Sequence, residues 1–132
     1  MYLLDTNIVI ARLNGHPGVA RRLRALHPED VALSAPTLAE LQFGAACSQK
    51  SAANLARLQL LSAEVQTVPF DARSALRFGS LKALLRSRGI AKSDFDLAIA
   101  AIALERDAIV VSHDAAFHDG NIHRLRAEDW LA

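Results

Sequence analysis

Four carboxylates stand where apolar strand-like runs give way to helices. Asp5 directly follows Tyr2-Leu3-Leu4, and Asp114 follows Ala108-Ile109-Val110-Val111. Glu40 lies one turn into the helix that follows Val31-Ala32-Leu33, and Asp96 falls in the first turn of the helix that Ser93 begins. One sheet edge shared by all four would crowd their charges, and their proton affinities would rise unless a cation neutralised them. Hard divalent ions with oxygen ligands, Mg²⁺ or Mn²⁺, meet that demand. The chemistry such a site performs is phosphodiester hydrolysis, with metal-activated water as the attacking group and metal charge on the phosphate and leaving oxygen. Asp5 and Asp96 are the principal candidate ligands, Glu40 and Asp114 are further ones, and the count leaves one ion or two open. Thr6, Asn7 and Ser112 add short polar groups beside Asp5 and Asp114, suited to orienting carboxylates or holding metal-bound water. Zinc has no ligand set here: Cys47 is the single cysteine, and no pair of histidines has helical ligand spacing beside another ligand.

Each acid also has an ordinary structural role open to it. Acids near helix N-termini complement the helix dipole. Asp5 and Asp114 read as plain N-caps. Thr37-Leu-Ala-Glu40 and Ser93-Asp-Phe-Asp96 resemble capping boxes. The functional reading therefore rests on convergence of the four, not on any one of them.

The elements that must position these residues alternate. Strands are expected at Tyr2–Leu4, Val31–Leu33, Val65–Val68 and Ala108–Val111, with a last short one at Ile122–Leu125. Between them, helices are expected over Ile8–Leu13, Val19–Leu26, Pro36–Cys47, Ser51–Leu61, Asp71–Arg88 and Ser93–Arg106, punctuated by Asn14-Gly15-His16-Pro17 and by Gly89. Trp130 is expected to dock the C-terminus. The pattern implies an α/β fold, a mainly parallel central sheet of four to five strands flanked by helices, in one domain spanning 1–132. Ligands of such sheets bind beyond the carboxyl ends of the strands, where all four acids fall. The run Ala98, Ala100, Ala101, Ala103 makes a slim helix that can keep Asp96 close to those ends, although helix propensity alone also accounts for the alanines.

The chain has 132 residues, with 52% hydrophobic, 22% charged and 5% aromatic residues, a globular composition rather than a disordered one. A lone cysteine forms no internal disulfide, which fits a reducing cytosol, and Cys47 in its apolar stretch reads as a small core hydrophobe. No signal-like start and no apolar run near the ~20 residues of a membrane span occurs, so a cytoplasmic location without membrane contact is expected. Lys and Arg total 15 against 14 Asp and Glu, so net charge neither demands nor excludes a nucleic-acid partner. Basic residues cluster at Arg21, Arg22 and Arg24 and again at Lys82, Arg86, Arg88 and Lys92; each cluster is either a solvated helix face or a phosphate-contacting one.

At these residues the chain resembles the PIN-domain family, specifically VapC-type toxins. Tyr2-Leu-Leu-Asp-Thr-Asn7 resembles the opening strand and Asp-Thr-Asn signature. Ser34-Ala-Pro-Thr-Leu-Ala-Glu-Leu41, continued by Phe43-Gly44, is similar to the second signature, with Glu40 as its acid. Asp94-Phe-Asp-Leu-Ala-Ile-Ala-Ala101 matches the third, with Asp96 as the acid and Asp94 as a nearby supporting one. Ile109-Val-Val-Ser-His-Asp114 matches the fourth, whose acid is the most variable, and Leu125-Arg-Ala-Glu-Asp-Trp130 matches the tail. Phe117-His-Asp119-Gly-Asn departs from the pattern, and Asp119 there reads as a solvated loop residue. The resemblance implies a metal-dependent endoribonuclease, the toxin of a VapBC toxin–antitoxin pair, cutting tRNA or rRNA with metal-activated water, so that His113 is no base. It also implies a homodimer, silenced by a VapB-type antitoxin in a higher assembly. An apolar groove for an antitoxin helix is expected near Leu38, Leu41, Phe43 and Leu58, with core packing the expected fate of at least two of them. The alternatives are a catalytically silent, RNA-binding relative or a metal-dependent phosphatase on a similar fold. The first would lack acids, and the second would usually carry an Asp where Asn7 stands. No phosphate-binding glycine loop is present.

Overall fold

A computed structural model describes residues 1–132. Five strands form one sheet in the order β3-β2-β1-β4-β5. They are β1 (Tyr2–Leu4), β2 (Val31–Ser34), β3 (Gln66–Val68), β4 (Ile109–Val111) and β5 (Arg126–Glu128), and every neighbouring pair is parallel. Six helices connect them: α1 (Thr6–Leu13), α2 (Pro17–Arg24), α3 (Ala35–Ala46), α4 (Ser51–Glu64), α5 (Ala72–Ser87) and α6 (Asp94–Arg106).

The three central strands, β2, β1 and β4, are short and largely buried on both faces, and their alternation sorts side chains into two cores. Leu3, Ala32 and Val110 point to one side and pack with Leu85 of α5 and with Leu97, Ile99 and Ile102 of α6. Leu4, Leu33 and Val111 point to the other, against Ile8, Val9, Val19, Leu41, Leu58 and Trp130. From Leu97 to Ala103 helix α6 is buried on every side, as expected of a helix apolar all round. Its alanines let it lie between α5, α3 and β4.

Parallel strands need long crossovers, and here they leave β1 at the centre. The chain first builds outward through β2 and β3, then crosses back through α5 and α6 to place β4 on the other side of β1. The β1/β4 boundary is therefore the switch point of the sheet, where the connections diverge and leave a crevice at the carboxyl edge.

Three expectations change. The last strand is Arg126–Glu128, not Ile122–Leu125. Ile122 instead enters the core, and Arg124 turns the chain with a positive φ. Polar flanks at Arg126 and Glu128 hide this edge strand from an apolar pattern. Cys47 is exposed at the C-terminal cap of α3, because the helix ends there before its apolar face can reach the core. Thr37 does not cap α3: Ser34 accepts the Thr37 amide at 3.2 Å, so the helix starts earlier and no Thr37–Glu40 box forms. No helix is long and apolar enough to cross a membrane.

Candidate active site

The crevice at the switch point is built from the ends of β1 and β4. Asp5 caps α1, its Oδ1 accepting the Thr6 amide at 2.8 Å, while its Oδ2 accepts the Ser112 hydroxyl at 2.7 Å. One carboxylate thus spans the two strands that define the switch point. Ser112 is fully buried and organises its surroundings: it also accepts from Asn7 Nδ2 at 3.3 Å and from the Asp114 amide at 3.0 Å. Asn7 closes the loop by accepting the His113 amide at 3.0 Å, and the His118 Nε2–H donates to the Ser112 carbonyl at 2.7 Å. Asp114 caps the 3₁₀ turn Ala115–Phe117.

The other two acids arrive on helices. Ser93 accepts the Asp96 amide at 3.1 Å and starts α6, which puts Asp96 in its first turn. Glu40 sits half-buried on α3, beyond the Ser34 cap. Capping and convergence thus hold together: the same cap geometry that stops the backbone at a strand end aims the carboxylates at the crevice.

Electrostatics bind the four into one set. Burial holds the Asp5 carboxyl above its ordinary pKa against the opposing Ser112 and Thr6 hydrogen bonds, with the Asp114 charge adding to the rise. Glu40 is raised by burial and then by the charges of Asp5, Asp96 and Asp114. Asp96 is raised by burial, relieved by Ser93, raised further by Asp114 and Asp5, and partly offset by Lys92. Every pairing among the four is repulsive, and none of the four has an ion-pair partner.

The donor set, Asp5, Glu40, Asp96 and Asp114, has the oxygen chemistry that would hold a hard cation. All the converging groups are oxygens, yet no three of them close on one point as a ready-made cage. Mg²⁺ suits that spacing, because it keeps several waters and takes one or two carboxylates directly. A second sign is the Thr6 hydroxyl. It is buried without a hydrogen-bond partner, close enough to favour the ionised Glu40 but short of bonding geometry. A buried polar atom left unpaired calls for an explanation, and a site water is the simplest one.

The sequence-predicted basic residues do not gather around the acids as a free patch. Lys92 is 4% exposed, donating to Asp119 at 2.6 Å and to the Ala116 carbonyl at 2.8 Å. It is a structural brace between the segment before α6 and the 3₁₀ turn, and Asp119, an exposed loop residue as expected, is its counter-ion. Lys82 pairs with Asp94 at 2.8 Å on the outer surface, which ties up both and turns Asp94 away from a supporting place among the acids. Arg86 and Arg88 remain exposed. His113 is exposed and bonds Asp129 at 2.8 Å, so it points to the β5 edge. The brace by Lys92 and the His118 bond were missed in the sequence. A lone Lys or His carries no spacing signal for a partner 27 or 6 residues away.

The antitoxin groove expected near Leu38, Leu41, Phe43 and Leu58 is divided. Leu41 and Leu58 are core, Phe43 is exposed, and Leu38 with Leu58 borders a shallow depression between α3 and α4. Beside that depression of about 630 Å³, a second apolar cleft of about 540 Å³ opens between α1, α2 and α4, lined by Leu4, Val9, Leu23, Leu26, Leu61 and Val65.

A family model described as the PIN domain matches residues 2–121. The chain belongs to the PIN-domain family. Within that family it is 31% identical over 132 residues to ribonuclease VapC2 of Rickettsia felis, covering 98% of each chain. It is 32% identical over 129 residues to the tRNA(fMet)-specific endonuclease VapC of Shigella flexneri, covering 98% of this chain and 97% of that one. Among solved structures, the VapBC2 complex of Rickettsia felis bound to a promoter DNA fragment superimposes with a TM-score of 0.88 at 30% identity over 98% of each chain. FitAcB of Neisseria gonorrhoeae does so with a TM-score of 0.87 at 28% identity, again over 98% of each chain. The five-stranded parallel sheet is that of a PIN domain throughout, and the VapC relatives match it end to end.

Proposed function

We propose that this PIN domain is a divalent-metal-dependent endoribonuclease, the toxin of a type II toxin–antitoxin module, which hydrolyses tRNA or rRNA and so slows translation. The observation that carries the reading is the set of four mutually repelling carboxylates at the switch point, none with a cationic partner in the fold. Asp5 and Asp96 are the principal ligands in this reading, with Glu40 and Asp114 completing the acidic set. Mg²⁺ or Mn²⁺, when bound, supplies acidified water and positive charge against the phosphate. Asp5, locked by Thr6 and Ser112, keeps its oxygens in a fixed direction. Asp96 is held by the first turn of α6. Glu40 has no hydrogen bond of full geometry and a raised proton affinity, which suits it to take a proton from the attacking water. Asn7, Ser112 and Thr6 support these carboxylates, and Asp94, paired with Lys82, takes no part.

The VapC relatives and the VapBC complexes support a VapB-type antitoxin as partner. The cleft between α1, α2 and α4 suits the apolar face of an antitoxin helix, with Arg12 and Arg24 at its rim to meet acidic side chains. Phe43, Leu76 and Phe95, exposed at 60%, 76% and 47%, are candidates for the surface of a homodimer.

The test is cleavage of bulk tRNA by the purified, antitoxin-free chain with Mg²⁺ or Mn²⁺, beside an EDTA control and the Asp5→Asn and Asp96→Asn variants. Metal-dependent cutting that disappears in both variants is the expected result. Absence of metal binding in the wild type would overturn the mechanism.

A further inference from the structure

A groove of about 350 Å³ runs between α5 and the segment from Asn121 to Arg124, away from the acids. Arg77, Leu81, Leu84, Arg88, His123 and Arg124 line it, and no carboxylate does. Arg77 is committed to Glu105 at 2.6 Å. Arg88 and Arg124 both line this groove and make no ion pair and no side-chain hydrogen bond within the fold. Two free guanidinium groups at one groove offer planar forks suited to phosphate oxygens. The leucines between them form an apolar floor of the kind ribose and base faces cover.

A second observation singles out Arg124. Its φ is +68°, in the left-handed region where the chain elsewhere in this loop uses Gly120 at +76°. Glycine adopts that conformation without strain, whereas a side chain there is disfavoured. Local strain of this kind concentrates where a side chain is needed for something other than stability. Leu104, also at the groove, lies eight residues along α6 from Asp96, or about 12 Å. Along the helix axis that is a separation a few nucleotides can span.

We infer that this groove is a second nucleic-acid contact, which holds the phosphate backbone of the RNA through Arg88 and Arg124 while the acids engage the scissile bond. The inference rests on the ribonuclease reading for its ligand, but its test is separable. Binding of fluorescently labelled bulk tRNA is measured in EDTA, where no metal-dependent cleavage occurs, across a KCl series. Charge removal in the Arg88→Ala/Arg124→Gly double variant should weaken binding about tenfold and lower the slope of log K against log [KCl] by close to two. The same variant should melt no lower than wild type, because glycine relaxes the backbone at position 124. The charge-conserving Arg88→Lys/Arg124→Lys variant should keep the salt slope. Unchanged affinity and slope in the folded double variant overturns the inference, as does a wild type that binds no tRNA. A groove variant that loses binding while the wild type shows no metal-dependent cutting leaves the groove standing and sinks the nuclease reading; a wild type that cuts and a groove variant that binds normally does the reverse.

Discussion

The same residue type behaves in opposite ways in two regions of this molecule. At the switch point, Asp5 and Asp96 hold protons more tightly than an ordinary aspartate, foremost because burial strips their water and then because neighbouring acids repel. At the β4–β5 end, Asp119 is shifted the other way by the Lys92 hydrogen bond and the Asn121 amide. Asp129 is also shifted down: burial pushes it up, but the Leu131 amide and His113 outweigh that. One region gives each acid a lysine or histidine partner; the other gathers acids that have hydrogen-bond donors but no ion-pair partner. Pairing serves stability. An unpaired cluster lowers it and persists where something else is gained, which on the proposed function is affinity for a cation from outside.

The comparison predicts its largest effect at the unpaired acids. Asp5→Asn and Asp96→Asn should each reduce RNA cleavage on the order of 10³-fold, the scale of losing several kcal/mol of metal-borne charge stabilisation. Circular dichroism should stay that of the wild type, since Asn at position 5 still caps α1 and the cap of α6 is Ser93, not residue 96. Full activity in either variant would mean that the repulsion serves no chemistry.

Next in size is the brace. Lys92→Met removes a nearly buried ammonium, its bond to the Ala116 carbonyl and its pair with Asp119. Breaking a wholly buried pair costs about 3–5 kcal/mol; because Asp119 is partly in water, a loss of about 2 kcal/mol is expected in urea unfolding. Cleavage should fall as well, since the brace fixes the start of α6, with Asp96, against the turn that Asp114 caps. Lys92→Arg should recover part of both. A Lys92→Met protein with wild-type stability would show that the two regions are not joined in this way.

Much of this was legible beforehand, for local reasons. The four acids, the caps at Asp5, Ser93 and Asp114 and the buried run of α6 are readable because each depends on residues a few positions apart. The parallel sheet followed from alternation of strands and helices. What escaped was set by distant contacts. Lys92 reads as one more basic residue until the chain folds Asp119 beneath it, and Asp94 reads as a supporting acid until Lys82 claims it. The edge strand Arg126–Glu128 has too little apolar character to announce itself, so the apolar Ile122–Leu125 took its place in the pattern.

A smaller effect tests the sign of the electrostatics. Folded Glu40 has a raised pKa, so relative to the unfolded chain its contribution is favourable below the ordinary glutamate range of about 4.3 and is lost as pH rises through the folded value. Glu40→Gln removes that loss. In EDTA the variant should match the wild type near pH 4 and become the more stable of the two toward pH 7, by a margin that solvent screening keeps small. Thermal melts at several pH values read the difference as a few degrees, and Mg²⁺ should shrink it by stabilising the wild type alone. A gap that narrows with rising pH would place Glu40 with the paired acids.

The smallest effect belongs to a pair that looks, in sequence, as if it should matter. Asp94 sits two residues before Asp96, and Lys82 belongs to the basic cluster. Their ion pair lies in water, with side chains 66% and 50% exposed, where such pairs contribute about 0.5 kcal/mol or less. Asp94→Asn and Lys82→Ala should therefore leave stability within about 0.5 kcal/mol and cleavage within about twofold. The decisive measurement sets Asp94→Asn beside Asp96→Asn in one cleavage assay, because the two acids share a helical turn and differ only in which way the fold aims them. Equal losses would mean that closeness in sequence, rather than convergence at the switch point, marks the acids that matter.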